Sequence, residues 1–248
     1  MKLVVDVHCH LDLCEDIPAV VKRAQDAGIS TIITNGTNAE SNKKSLELAK
    51  TYDIVNAALG IYPLEGLQLT EHQFDDILKE IEKHRNSIVA IGEVGIDYHM
   101  IKDKNDQQKK NFEKIIHLAE KLKKPMLVHS RKAESDTIDL LESSNAKKVV
   151  MHCFGGNMKL VKRADDLSFF FSIPTNIVSL LHFQEIVQRV ELGKLLTETD
   201  APWLSPFKDR KNESAFVVES IKKIADLKKM TPEEVVNAIY MNYQRMFC

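Results

Sequence analysis

Asp6, His8 and His10 occupy every second position of one short apolar segment, Leu3-Val4-Val5-Asp6-Val7-His8-Cys9-His10. In an extended strand such positions share one face. The two imidazoles then form a clamp of the kind that holds a divalent metal. Cys9 falls on the opposite face and is not expected to be a ligand. An isolated H-x-H is common by chance, but similar residue types recur at the ends of later apolar runs. These runs end Gly92-Glu93-Val94-Gly95, Val128-His129-Ser130-Arg131, Met151-His152-Cys153-Phe154 and Glu198-Thr199-Asp200. Neutral imidazoles and carboxylates together suit zinc, manganese or a similar ion, and one carboxylate can bridge two of them. Two ions about 3.5–4 Å apart would clamp the attacking and leaving oxygens of a hydrolysis.

Such a set needs a frame that gathers strand ends from the whole chain. Eight β-branched runs qualify as strands: 3–8, 31–36, 54–60, 88–95, 125–130, 148–153, 169–174 and 194–200. Amphipathic stretches separate them. Ile17, Val20, Val21 and Ala24 share a face in 17–27, as do Phe112, Ile115, Ile116 and Ala119 in 107–121. Gly28 follows the first stretch as a C-cap should. Strands alternating with helices predict an α/β fold, a single (β/α)8 TIM barrel over residues 1–248, with its site at the C-terminal ends of the strands. An open doubly wound sheet competes, but it concentrates its site at one switch point. Here strand ends along the whole chain contribute. Two further helices are expected, one over 213–227 and one capped by Thr231 with Pro232 at its first position, running to about Phe247.

Bulk properties exclude some alternatives. The 248 residues carry a formal net charge of −2, which excludes a strongly basic nucleic-acid mantle but leaves room for a local patch. No apolar run approaches the roughly 20 residues of a membrane span. Met1-Lys2-Leu3-Val4-Val5-Asp6 lacks the pattern of a signal peptide, so a cytoplasmic location without membrane contact is expected. Cys9, Cys14, Cys153 and Cys248 form no C-x-x-C pair, and no disulfide is expected. Lysines at 102, 104, 109, 110, 114, 121, 123 and 124 read as a solvated helix face, with some available to steer a polyanion.

The motifs D-V-H-C-H-L-D from Asp6, G-E-V-G-I-D-Y from Gly92, H-S-R from His129, H-C-F-G-G from His152 and E-T-D-A-P-W-L from Glu198 occur in that order. As a set they resemble the TatD family of metal-dependent deoxyribonucleases, within the amidohydrolase-like barrel superfamily. The resemblance runs from Asp6 to about Phe247. It implies that His8, His10 and Asp200 bind one ion, that His129 and His152 bind a second, and that Glu93 bridges the two. Many related barrels bridge with a carboxylated lysine; here Glu93 would supply the carboxylate directly. The expected cofactors are two divalent ions, magnesium, manganese or zinc. The expected reaction is hydrolysis of DNA phosphodiesters, single strands or DNA ends before tight duplex, with Asp200 orienting the water and accepting its proton.

Other residues are expected to support the site. Asp6 is read as holding His8 by a hydrogen bond rather than as a ligand. Glu198 invites the same reading, or that of a partner for a buried cation. Arg131 could grip a phosphate. Asn212 and Glu213 match the family's Asn-Glu-Pro segment, with Ser214 in place of the proline, and would position the loop or a substrate. Tyr62, Tyr98 and Trp203 could stack on bases, whereas Asp97 and Tyr98 could simply order their loop. Ser172-Ile173-Pro174-Thr175-Asn176 departs from the family's glycine-containing stretch, which leaves substrate preference open. Two other readings compete: a small-molecule amidohydrolase or lactonase on the same barrel, and a metal-stabilised barrel without turnover.

Overall fold

The computed structural model describes residues 3–101 and 103–248. Met1, Lys2 and Lys102, which bear on the leader and basic-face expectations, lie outside the described residues. Eight parallel strands follow one another in sequence order: β1 (Val4–Cys9), β2 (Ile29–Asn35), β3 (Val55–Leu59), β4 (Ala90–Asp97), β5 (Met126–Arg131), β6 (Val149–His152), β7 (Phe170–Ile173) and β8 (Leu195–Thr197). The two ends of this sheet meet. Thr197 Oγ1 donates to Val5 O (2.6 Å), the Asp200 amide to His8 O (2.9 Å) and the His10 amide to Ala201 O (2.8 Å). With helices between the strands, the arrangement is the expected (β/α)8 barrel.

The helices are α1 (Ile17–Asp26), α2 (Ala39–Thr51), α3 (Pro63–Gly66), α4 (Glu71–Lys83), α5 (Asn105–Leu122), α6 (Glu134–Ser143), α7 (Met158–Asp166), α8 (Leu181–Arg189), α9 (Val217–Lys228) and α10 (Pro232–Phe247). Local chemistry explains where several begin. Asn38, Thr70 and Thr231 each cap a helix through a reciprocal capping box with Ser41, Gln73 and Glu234. Their apolar stripes face the barrel: Val20, Val21 and Ala24 of α1 are buried, as are Phe112, Ile115, Ile116 and Ala119 of α5. Every residue of β1, β4, β6, β7 and β8 is buried. Aliphatic side chains pack under the helices, while the polar ones emerge at the C-terminal mouth. No helix among the described residues is long and apolar enough to cross a membrane. All four cysteines are free.

Several boundaries differ from the sequence reading. β2 begins at Ile29, two residues early, and β4 continues to Asp97. β8 stops at Thr197 instead of reaching Asp200, because Asp200 adopts a left-handed backbone (φ 57°) that turns the chain onto the end of β1. The helix expected from Glu213 starts only at Val217, after a 3-10 turn over Ser214–Phe216. Glu213 itself is extended, with its carboxylate engaged by Arg23. The lysine face is tied up in ion pairs. Lys109 meets Asp136, Lys110 and Lys114 meet Glu71, and Lys121 meets Glu82. These pairs staple α5 to its neighbours and leave little of that face to steer a polyanion.

Candidate metal centre

Five of the strand-end residues converge around one carboxylate. Glu93 projects from β4 with only 4% of its surface exposed, and its two oxygens face different partners. Oε2 lies 3.2 Å from His10 Nε2 and 3.7 Å from His8 Nε2. Oε1 lies 2.9 Å from His129 Nδ1 and 3.8 Å from His152 Nε2. Asp200 Oδ1 is 3.6 Å from the Nε2 atoms of both His8 and His10. The ligating atoms of His8, His10 and Asp200 form one compact group, and those of Glu93, His129 and His152 another. The stacked rings of His8 and His152, with centroids 3.6 Å apart, connect the two groups.

The backbone is shaped to allow this crowding. A Cβ on Gly60 would lie 2.4 Å from Glu93 O, so only glycine lets the end of β3 pass so close. Gly95 takes φ 139°, and a Cβ there would stand 2.0 Å from His129 O. β4 and β5 therefore approach closely where their two site residues meet.

Three of the four site histidines are steered by their other ring nitrogen. His10 Nδ1 contacts Asn35 O (3.0 Å), and His152 Nδ1 contacts Glu198 Oε2 (2.9 Å). Glu198 also accepts from the Cys153 amide and from Ser172 Oγ, which leaves it occupied as a support rather than open to a ligand. His129 Nε2 lies 3.0 Å from Asp97 Oδ2, an oxygen that also accepts from Tyr62 Oη at 2.8 Å. His8 alone has neither ring nitrogen paired among the described residues, although it is fully buried. A buried polar atom without a partner costs about 1–3 kcal/mol. A cation between His8 and the nearby carboxylates removes that cost, so the donor set fits a divalent metal.

Electrostatics agree with that fit. Burial, reinforced by His152 and His10, holds His8 well below the ordinary imidazole range, so it is a neutral lone-pair donor. Burial would raise the Glu93 carboxyl, but the imidazoles of His10, His129 and His8 that face it outweigh burial and hold the group ionised. Burial lifts Asp200 to about 6, with His152 and His10 partly opposing it. Burial would lower His10, His129 and His152, but the facing carboxylates outweigh it and raise all three, His152 to about 10, so protons occupy the place of a cation and metal binding must displace them.

The remaining expectations are sorted by contact. Asp6 contacts His8 through the backbone amide and not through the ring, and its main partner is Thr199. It accepts from the Thr199 amide (2.9 Å) and hydroxyl (2.6 Å), and weakly from the His8 amide (3.4 Å). What it holds is the exit of β8 against β1. Asn212 Nδ2 donates to Thr175 Oγ1 and Thr199 O, joining the loops after β7 and β8. Glu213 is bound by both Nε and Nη2 of Arg23, so both residues position loops and neither faces a substrate. Arg131 is exposed at the mouth, with no side-chain partner among the described residues. Tyr98 Oη is bound to Asp136 and Tyr62 Oη to Asp97, so both hydroxyls fasten their loops. Trp203 keeps it: the indole is 51% exposed and rests edge-on against His10 (centroids 5.3 Å). Sequence reasoning missed Asn35 and Ser172, and gave Asp97 and Tyr62 different duties. Asn35 acts through a backbone carbonyl, which leaves no trace in residue type. Asp97 was visible in principle, since it stands four residues after Glu93 on the same strand face.

Comparison with known proteins points the same way. A family model for TatD related DNases matches residues 5–248. The uncharacterized metal-dependent hydrolase YabD of Bacillus subtilis (strain 168) is 32% identical over 254 residues, covering 99% of this chain and 99% of its own. Deoxyribonuclease TATDN3 of Homo sapiens is 31% identical over 257 residues, covering 98% of this chain and 94% of its own. The crystal structure of YJJV, a TatD homologue from Escherichia coli K12, shares the fold with a TM-score of 0.92 at 24% identity, over 99% of this chain and 98% of that one.

Proposed function

The chain belongs to the family of TatD related DNases, and we propose that it is a divalent-metal-dependent hydrolase that cleaves phosphodiester bonds of DNA. The observation that carries this reading is Glu93, whose two oxygens are divided between the His8–His10 pair and the His129–His152 pair. In this reading His8, His10 and Asp200 hold one ion, His129 and His152 hold a second, and Glu93 is common to both. Magnesium, manganese and zinc are the candidates. When bound, such ions supply Lewis acidity toward phosphoryl oxygens and make water a better nucleophile near neutral pH. Asp200 would accept the proton of the attacking water at its free oxygen. Glu198 and Asn35 hold His152 and His10 in register. The guanidinium of Arg131 is free to meet a neighbouring phosphate. The exposed face of Trp203 suits an unstacked base, which favours single-stranded DNA or frayed ends over closed duplex.

The test starts from protein stripped of metal and reloaded with magnesium, manganese or zinc in turn. End-labelled single- and double-stranded DNA is then offered beside a panel of amides and lactones. Metal-dependent cleavage of single-stranded DNA is expected, and Glu93→Gln should lower it at least about 100-fold while circular dichroism stays native. Full activity in Glu93→Gln would overturn the role given to that carboxylate. Turnover of lactones or amides with DNA left intact would move the substrate to the small-molecule class.

A further inference from the structure

We infer that Arg210 binds a backbone phosphate of the single strand outside the metal centre and so draws the strand along the loop after β8. This rests on the nucleic-acid reading above. Trp203 marks where that path begins, its exposed indole lying edge-on against His10 at the rim of the metal centre (centroids 5.3 Å). From there the chain runs through residues 204–211 to Asn212, and the neck of this loop is closed. The Asn212 amide donates to Pro202 O (3.0 Å), the Trp203 amide to Asp200 O (2.9 Å) and Thr175 Oγ1 to Leu204 O (2.8 Å). Phe207, Lys208, Arg210 and Lys211 stand exposed on the part beyond the neck. Rings and cations interleaved on one exposed segment suit a single strand, which offers bases to the rings and phosphates to the cations.

Arg210 differs from the other cations in how it is held. Its guanidinium carbon stands 5.3 Å from the centroid of the Phe207 ring, and Phe216 meets that ring edge-on (5.0 Å, 87°). Contact with a ring face fixes a guanidinium without using its N–H donors. Those donors have no hydrogen-bond or ion-pair partner among the described residues. Arg210 also lines a groove of about 420 Å³ between α1 and this loop, whose wall includes Pro202, the residue next to Trp203. Its other cations are already compensated. Lys211 Nζ lies 2.6 Å from Glu15, and Arg23 Nε lies 2.9 Å from Glu213. One positive charge remains, held in place with its donors free, and its fork matches the oxygens of a phosphodiester. A strand whose base rests on Trp203 meets that charge as its backbone leaves the metal centre.

Trp203 is the only tryptophan of the chain, so its fluorescence reads the test directly. Phosphorothioate oligothymidylates, which keep the backbone charge and resist hydrolysis, are titrated into the full-length protein with and without zinc. Quenching should reveal affinity that rises from the trinucleotide to the octanucleotide. Arg210→Gln should weaken octanucleotide binding about 10-fold and trinucleotide binding much less, and should reduce the slope of log affinity against log salt by about 0.7, the share of one phosphate contact. Phe207→Leu, which keeps the guanidinium and removes its platform, should weaken octanucleotide binding by less than Arg210→Gln. Lys50→Gln, which removes the same charge from the end of α2, should change neither affinity nor slope. Undiminished octanucleotide affinity in Arg210→Gln, an equal loss at both lengths or an unchanged salt slope overturns the inference and leaves the proposed hydrolysis standing. Native protein without length-dependent binding overturns it too, and if that protein also fails to cut single strands the functional reading falls with it.

Discussion

At the scale of single residues, the site separates groups that face the reaction from groups that hold them. His8 is the plainest case of the first kind, a fully buried ring whose two nitrogens have no hydrogen-bond partner among the described residues. Glu198 is the plainest case of the second, with its oxygens taken by His152, Cys153 and Ser172. Arg131 stands outside both sets. Exposed and unpaired among the described residues, it can touch only a part of the substrate that extends beyond the reacting phosphate. Arg131→Ala should therefore raise KM for single-stranded DNA about 10-fold with kcat little changed, the signature of uniform binding. Steady-state kinetics decide this. An equal fall in kcat would place the guanidinium on the transition state instead.

At the scale of elements, the sheet brings the site together by letting strands approach more closely than side chains usually allow. Gly95 is the clearest instance. It opposes His129 in the β4–β5 register, takes φ 139°, and has no room for a Cβ. Gly95→Ala should lower stability by about 3 kcal/mol or more in urea unfolding, through backbone strain and a clash with β5. Gly193→Ala, at a glycine with nothing within 4 Å of the added carbon, provides the control. A Gly95 variant as stable as that control would refute the close-approach argument.

The elements also mark how far the sequence could be read. Apolar runs and amphipathic stretches located all eight strands, because parallel barrel strands are buried on both faces and stand out as β-branched segments. The ends were less legible. Asp200 leaves strand geometry because of a contact with β1 nearly two hundred residues away, and Glu213 stays extended because it binds Arg23 of α1. His8, His10, Glu93, His129, His152 and Asp200 could be picked out because residue type and strand-end position coincide at each. The contact of Asp6 with His8 was legible but its stronger bonds to Thr199 were not, because spacing shows which face a carboxylate occupies and not which neighbours from β8 reach it. Asn35 was invisible because it contributes only a carbonyl.

At the scale of the whole molecule, the centre is a cluster of carboxylates and imidazoles that could hold metal ions, and the proposed function makes those ions part of the folded state. Ions bound to the folded state alone must stabilise it, by about 2.7 kcal/mol at a free concentration 100-fold above Kd. For a chain of this size that corresponds to a rise in Tm of several degrees. Chelation should lower the Tm by that amount and zinc or manganese should restore it. Glu93→Gln should show a much smaller response. Scanning calorimetry at fixed pH reads both, and identical Tm values with and without metal would contradict a metal centre in the folded state.

The closure of the sheet between its first and last strands also fixes when this protein can begin to work. Asp200 follows β8 and is made long after His8 and His10, and Thr197, Thr199 and Asp200 complete the seam with Val5, Asp6 and His8. Throughout the intervening synthesis β1 is an open edge and the histidine clamp lacks its carboxylate. A chain that stops before Asp200 should therefore lack the hydrolytic activity proposed for the whole barrel.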